Sequence, residues 1–307
     1  MKTAILLVTF NRLDCLRSTL NCYDHQTVPP SAIVVVDNAS NDDTVQFLDS
    51  WREQQAACEH IVIRLETNTG GAGGFAAGFR YLEERDYDWM LIGDDDAYPE
   101  NDTLEGLFEA VRKDSTVAAY CTAVINEGKL DLLHRRKWQT NQFIVRDIPC
   151  SQQEYSHPSV SINVLTFVGA FINLAKARKI SLPEAGFFIY YDDVEYSLRL
   201  AEQGLIELLP RVRMHHDTGF VVRNETTWKS YYYLRNKLIT FHRHGGTIPF
   251  VWESILELIK KTGPLSALLK RRTKVERQLY WRAITDAWEN RIGEHPIYRP
   301  GWKSLRN

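Results

Sequence analysis

The sequence predicts an α/β fold, with a mainly parallel central sheet covered on both faces and a helical region at the C-terminal end. Three observations predict it. Unbroken apolar, β-branched runs alternate with helically spaced apolar residues through the first 115 positions, as in sheets buried on both faces. Each such run ends in a polar or glycine-rich loop. From about residue 228 the chain is helical in pattern and rich in Trp, Tyr and basic residues.

"TAILLVTF" (3–10) is a buried strand, and Leu13, Leu16 and Leu20 then fall at helical spacing. "SAIVVVDN" (31–38) is a second strand, followed by a helix in "DDTVQFLDSWREQQ". "HIVIRLETN" is a third strand, and Phe75, Phe79 and Leu82 mark the next helix. "YDWMLIGDDD" is a fourth strand. The helix marked by Leu104, Leu107, Phe108 and Val111 has Asp102 as its expected cap. "TVAAYCTAVI" and "VSINVLTFVGAFIN" read as strands, with 130–158 a polar, irregular insertion. "FFIYYDDVEYSLRLAEQG" should end a short strand and open a helix with Val194, Leu198, Ala201 and Leu205 as its stripe. "LIELLPRVRMHH" is a further strand, and Pro249 and Pro264 should divide the helical end. We divide the chain at 227, with an α/β domain over 1–227 and a helical, basic region over 228–307.

Composition narrows the class. Of 307 residues, 44% are apolar and 25% charged, ordinary for a globular protein that can bury a core. Five cysteines without zinc spacing, and no secretory leader pattern, imply reduced thiols and a cytoplasmic protein. No apolar run reaches the ~18 residues that span a bilayer. The net charge of -2 hides an asymmetry. Residues 221–307 hold 17 Lys/Arg against 7 Asp/Glu, a balance of +10, so the rest carries -12. Such a basic tail suits an anionic membrane surface, nucleic acid or a solvated helical face.

In open α/β sheets, ligands bind beyond the carboxyl ends of the strands. "TFNR", "DNAS", "NTGGAGGF" and "GDDDA" all lie at such ends. In "LIGDDDAYPE" three like charges stand together. On an extended segment Asp94 and Asp96 point to one side and Asp95 to the other, so the outer pair can share a hard divalent cation with a phosphate ligand. Alone, the stretch also fits an exposed acidic turn. Gly70, Gly71, Gly73, Gly74 and Gly78 would let backbone approach a ligand ahead of a helix N-terminus, or serve close helix packing. Asp37 can accept from a base N–H or a ribose hydroxyl, or cap the following helix. Thr9 and Asn11 end the adjacent strand. Asp192 and Asp193 open a helix, either as first-turn acids favoured by its dipole or with one as a general base. In "RMHHD", adjacent histidines on a strand face opposite ways, so only one can ligate a metal.

This constellation resembles the GT-A glycosyltransferases of family 2 over roughly residues 1–240. The resemblance implies a GT-A, Rossmann-like nucleotide-binding fold. It makes Asp94, Asp95 and Asp96 the nucleotide-diphosphate motif, with Asp94 and Asp96 on Mn²⁺ or Mg²⁺, Asp193 the base and Asp37 the uridine-binding acid. Thr9, Asn11, Asn68, Gly71, Gly73 and Gly74 complete the expected donor site. "NTGGAGGF", "DDDA", "DDVEY" and "YYYLRN" are together similar to bacterial galactofuranosyltransferases, in which a histidine downstream of the base also binds the metal. That implies His216, with His215 its competitor. Galactan polymerases of that group carry further domains, whereas this chain begins at its first strand, so a single-linkage transferase is expected. UDP-galactofuranose is the implied donor, and a glycan or lipid-linked oligosaccharide of O-antigen or capsule the implied acceptor. Related rhamnosyltransferases, using dTDP-rhamnose, share the layout. A sugar nucleotidyltransferase or a non-catalytic nucleotide-sugar-binding module are readings of other classes. Trp252, Ile255, Leu256 and Ile259 are helically spaced ahead of basic residues, which suggests peripheral contact with the inner face of the cell membrane. Nucleic acid is not an expected partner, and self-association stays open.

Overall fold

The computed structural model describes residues 1–218, 225–262 and 272–304. The first half follows the predicted alternation: β1 (Thr3–Thr9), α1 (Leu13–Asp24), β2 (Ala32–Asp37), α2 (Thr44–Arg52), β3 (Glu59–Arg64), α3 (Gly70–Glu83), β4 (Trp89–Asp94), β5 (Ala97–Pro99) and α4 (Thr103–Lys113). Strands β4, β1, β2 and β3 lie side by side and parallel. Alternate residues of β1 serve both faces. Ala4 and Leu6 pack toward α3, and Ile5 and Leu7 toward α1 and α4.

The second half is mixed rather than parallel. It comprises β6 (Ala119–Asn126), β7 (Lys129–Leu130), β8 (Arg135–Thr140), β9 (Val145–Pro149), β10 (Val160–Ile162), β11 (Val164–Leu165), β12 (Ala170–Asn173), α5 (Leu174–Ala177), α6 (Asp192–Ala201) and β13 (Ile206–His216). Strand β12 enters reversed between β4 and β6, and β13 then pairs parallel to β6. The order is β10-β13-β6-β12-β4-β1-β2-β3. The 130–158 segment is not irregular. Strands β8 and β9 form a hairpin that joins β11 in a small second sheet.

Two local expectations fail. Asp102 occupies the cap position of α4, but its side chain makes no cap bond. The chain before α6 is not a strand: a 3₁₀ turn at Ala185–Phe187 leads into a loop with three left-handed residues. Helix α6 therefore ends at Ala201 and leaves Leu205 exposed, outside its stripe.

The C-terminal region folds as α7 (Trp228–Gly245), α8 (Thr247–Thr262) and α9 (Lys274–Trp288). Pro249 sits in the first turn of α8, where its missing N–H costs no helical bond. Pro264 lies outside the described residues. These helices share a core with the α/β body: Tyr231, Tyr232, Leu238 and Ala283 cluster with Ala72, Trp138, Phe187 and Val194. The base of α6 is therefore built jointly by both regions.

Candidate active site

Thr9 pairs in register with Asp37, and Val8 with Asp94. The ends of β1, β2 and β4 thus share one sheet edge. The three aspartates are not on one extended segment. Strand β4 ends at Asp94, and the chain turns through Asp95 and Asp96 into β5. Asp95 is buried: its carboxylate accepts from the Thr9 hydroxyl at 2.7 Å and from Arg12 Nη1 at 2.9 Å. Thr9 and Asp95 were expected at the donor. In the structure the two side chains bond each other, because a buried carboxylate needs donors. Arg12 Nη2 also donates to Asp96 at 2.6 Å. One guanidinium thus bridges two of the three like charges.

His216 completes the group. Its Nε2 lies 3.3 Å from Asp96 Oδ1 and 3.8 Å from Asp94 Oδ2. One ligand atom from each of Asp94, Asp96 and His216 falls within 4.8 Å of the others. His215 points to the other face, 3.2 Å from Glu100 and stacked on Tyr98. Burial and neighbouring acids push Asp94 up to about 7, against the pull of His216. Its side chain is 39% exposed, so water offsets part of that rise. Burial raises Asp95 to about 6, opposed by Arg12 and Thr9. Burial also pushes Asp96 upward, but hydrogen bonds from His216 and Arg12 outweigh it and hold the carboxyl well below its usual range. Burial works against charge on His216, yet Asp96 and Asp94 raise it above 6.5.

The glycines have clear packing roles. They lie inside α3, not in a loop before it. A Cβ on Gly74 would stand 2.5 Å from Val8, and one on Gly73 would stand 2.3 Å from Thr69. These positions let the helix press onto β1 and its own first turn. Gly71 does face open space. Gly70 has φ +71°, and a Cβ there would meet the Phe188 carbonyl oxygen at 2.0 Å. Only glycine fits that approach.

Asp37 is buried. Its Oδ1 accepts from the Ser40 amide at 2.9 Å, and its Oδ2 lies 3.9 Å from Arg64 Nε. It does not cap α2; Asp42 accepts from Thr44 N–H instead. Asn11 accepts from the Asn41 amide at 2.8 Å and so ties the two loops together. Asn68 accepts from the Gly70 amide at 2.8 Å and holds the entry to α3. Both are positioning groups here.

Asp192 and Asp193 begin α6, where the helix dipole favours negative charge. They see different surroundings. Asp192 is buried, and the fields of Asp193 and Asp94 add to that burial to raise it well above the usual carboxylate range. Asp193 accepts from the Val194 amide at 2.7 Å. Burial raises it too, while Arg136, itself paired with Asp147, pulls it back. Neighbouring acids whose environments separate their titrations suit an acid or base role.

A sequence model of the family described as "Glycosyl transferase family 2" matches residues 4–168, more than half of the chain. The chain belongs to family 2. It is 27% identical over 205 residues to galactofuranosyltransferase GlfT1 of Mycolicibacterium smegmatis, covering 65% of each protein. It thus spans just under two thirds of that relative. It is also 35% identical over 112 residues to the undecaprenyl-phosphate mannosyltransferase of Micrococcus luteus, covering 36% of this chain and 45% of that one. Among solved structures, GalNAc-T7 with UDP, GalNAc and Mn²⁺ superposes with a TM-score of 0.62 at 14% identity, over 94% of this chain and 56% of that one. Residues 1–349 of S. aureus TarS superpose at 0.58 and 16% identity, over 94% and 81%. These likenesses show the GT-A fold.

Several residues of this family 2 site carried no clear signal in the sequence. Arg12 was visible in "TFNR", but nothing local tied it to aspartates more than 80 positions away. Asn38, directly after Asp37, donates to Asn68 and the Gly70 carbonyl and accepts from Thr69. His134, from the supposedly irregular segment, stacks edge-on to His216 at 5.5 Å and bonds Thr166 at 2.6 Å. Burial keeps it well below 6.5. The largest omission is Arg235 and Asn236 of "YYYLRN". Asn236 Nδ2 donates to the carbonyls of Phe187, Ile189 and Tyr190 at 2.8–3.0 Å. Arg235 donates to Gly186, Phe187 and Gly293 carbonyls, and its Nε to Asn236 Oδ1. This clamp holds Phe188, Tyr190 and Tyr191 at φ +66°, +67° and +70°. Such strain persists only where surrounding contacts over-determine it. The strained loop delivers Asp192 and Asp193.

Proposed function

We propose that this chain is an inverting, metal-dependent glycosyltransferase that moves galactofuranose from UDP-galactofuranose to a hydroxyl of a glycan or lipid-linked oligosaccharide acceptor, in cell-surface polysaccharide synthesis. The observation that carries the reading is the Asp94–Asp96–His216 cluster, at the sheet edge beside the acids that open α6. Two carboxylates and one imidazole suit Mn²⁺, and Mg²⁺ with more water in its shell. The part-exposed Asp94 leaves the cluster open on one side. A divalent ion held there would neutralise the charge that gathers on a departing diphosphate.

The remaining work falls to side chains. Arg12 fixes the turn that aims Asp96. His216 must be neutral to offer its lone pair. Asp193 takes the proton from the acceptor hydroxyl, whose oxygen attacks the anomeric carbon as the bond to the diphosphate breaks on the opposite face. One such displacement inverts the configuration. The furanose donor is supported by the likeness to GlfT1 and by the four motifs that resemble that group.

The test is nucleotide release from purified protein with a short glycoside acceptor. UDP-galactofuranose, UDP-galactopyranose, UDP-N-acetylglucosamine, GDP-mannose and dTDP-rhamnose are each offered with Mn²⁺ or EDTA. Release from the furanose donor alone, lost in EDTA, is the expected result. Metal-dependent release from another donor would overturn the sugar assignment, and undiminished turnover in EDTA would overturn the metal.

Two further outcomes follow from the electrostatics. Asp96→Asn removes a ligand and an Arg12 partner, so Mn²⁺ affinity in the presence of UDP should drop at least about 100-fold by calorimetry, beyond the 10–100-fold typical of outer-sphere losses. In the parent protein the proton on His216 competes with the ion. Because His216 is raised above 6.5, affinity should climb as pH rises through its pKa and weaken below. Arg136→Gln removes the cation that lowers Asp193. The acid limb of kcat/KM should then move to higher pH, because Asp193 holds its proton longer. An unmoved limb would assign the base elsewhere.

A further inference from the structure

We propose that the outward face of α8 is a docking surface for an anionic lipid bilayer. Helix α8 is apolar on two sides. Ile248, Trp252, Ile255 and Ile259 recur at helical spacing on one face, and they are 55%, 55%, 43% and 56% exposed. The opposite face buries Phe250, Ser254 and Glu257, with Val251 and Leu258 packed against the core. There, Lys237 of α7 pairs with Glu253 at 2.5 Å and Glu257 at 3.3 Å. A helix lying on a protein in water normally turns its apolar stripe inward. Here Phe250, Val251 and Leu258, with the Lys237 ion pairs, already fasten the helix to the body, and a second stripe of three isoleucines and a tryptophan is left for another medium.

Helix α9 continues the pattern. Trp281 and Trp288 stand seven positions apart and are both about half exposed, with Lys274 exposed at the helix start. Trp288 meets Phe250 of α8 at 4.8 Å, which joins the two helices. Tryptophans at the headgroup level, with basic residues beside them, suit an interfacial helix. No helix among the described residues is long and apolar enough to cross a membrane, so the surface would lie on the bilayer.

Charge selects the occupant. Residues 221–307 carry 17 basic against 7 acidic side chains. Two copies meeting through this region would bring like charge together, whereas an anionic leaflet attracts it. The surface would hold the enzyme where a lipid-linked acceptor lies, but it does not depend on the donor or the metal.

The test is vesicle flotation of the full chain. With phosphatidylcholine vesicles containing phosphatidylglycerol, the protein should float; with phosphatidylcholine alone or at high salt, it should float much less. Trp252→Glu and Ile255→Glu should each weaken association about tenfold or more. Leu205→Glu, at an exposed site before β13, should change nothing. All three should release nucleotide normally with a soluble acceptor, which separates failure of docking from failure of the enzyme reading. Protein left at the bottom of the gradient with anionic vesicles would overturn the proposal. So would flotation unaffected by Trp252→Glu and Ile255→Glu, or a dimer in light scattering that either substitution dissolves without changing flotation.

Discussion

Asp193→Asn should lower kcat by about 10²–10⁴-fold, the usual worth of a general base, while UDP binding in Mn²⁺ stays within a factor of about two. The amide keeps the shape of the side chain and can still accept from the Val194 amide. It cannot take a proton from an acceptor hydroxyl. The neighbouring Asp192 is a poor substitute, because it is buried and burial, with the field of Asp94, raises it well above the usual carboxylate range even without a charge at 193. Single-turnover kinetics with UDP binding measured in parallel would check this. A variant that turns over normally would remove Asp193 from the mechanism, and equal loss of binding and turnover would make it a structural acid.

Asn236→Ala should cost about 3 kcal/mol of stability, as carbonyls under α7 lose their donor, and lower kcat about 10²-fold, the cost of misplacing a reacting group by roughly an ångström. KM for the donor should change little, because the Asn236 amide bonds the loop before α6 and Arg235. Asn236→Asp is the sharper variant. It keeps the volume and the Arg235 contact but turns an oxygen toward three carbonyls. If it restores the rate while Ala does not, packing rather than hydrogen bonding holds the loop. Thermal unfolding and kcat/KM on the same preparations would separate the two effects.

The sheet was legible because β1, β2 and β4 are buried on both faces and read as unbroken apolar runs, while β3, at the edge, keeps an apolar centre that is partly buried. The order of the second half was not. Strand β12 owes its reversed insertion to the pairing edges left by β4 and β6, which its own pattern does not encode. The 130–158 hairpin was missed because its strands are short and polar: Arg135 donates to the Thr122 carbonyl of the main sheet, and Arg136 pairs with Asp147 across the hairpin. For the glycines, the sequence left ligand approach and close helix packing both open. Only the packing shows that Gly74 makes room for Val8 and Gly70 for the Phe188 carbonyl.

By itself, the sequence determined the family, the α/β class, the edge on which the polar loops gather and the residue types in the acidic cluster. These follow from local periodicity and from motifs whose members are near neighbours. Tertiary structure alone decided which charges meet. Arg12 reaches Asp95 and Asp96 across more than 80 positions, His216 rather than His215 turns to the cluster, and Asn236 grips the loop that carries Asp193. Such pairings depend on distances between chain-remote groups. A one-dimensional pattern carries no such distances, and the low dielectric of a folded interior makes them decisive.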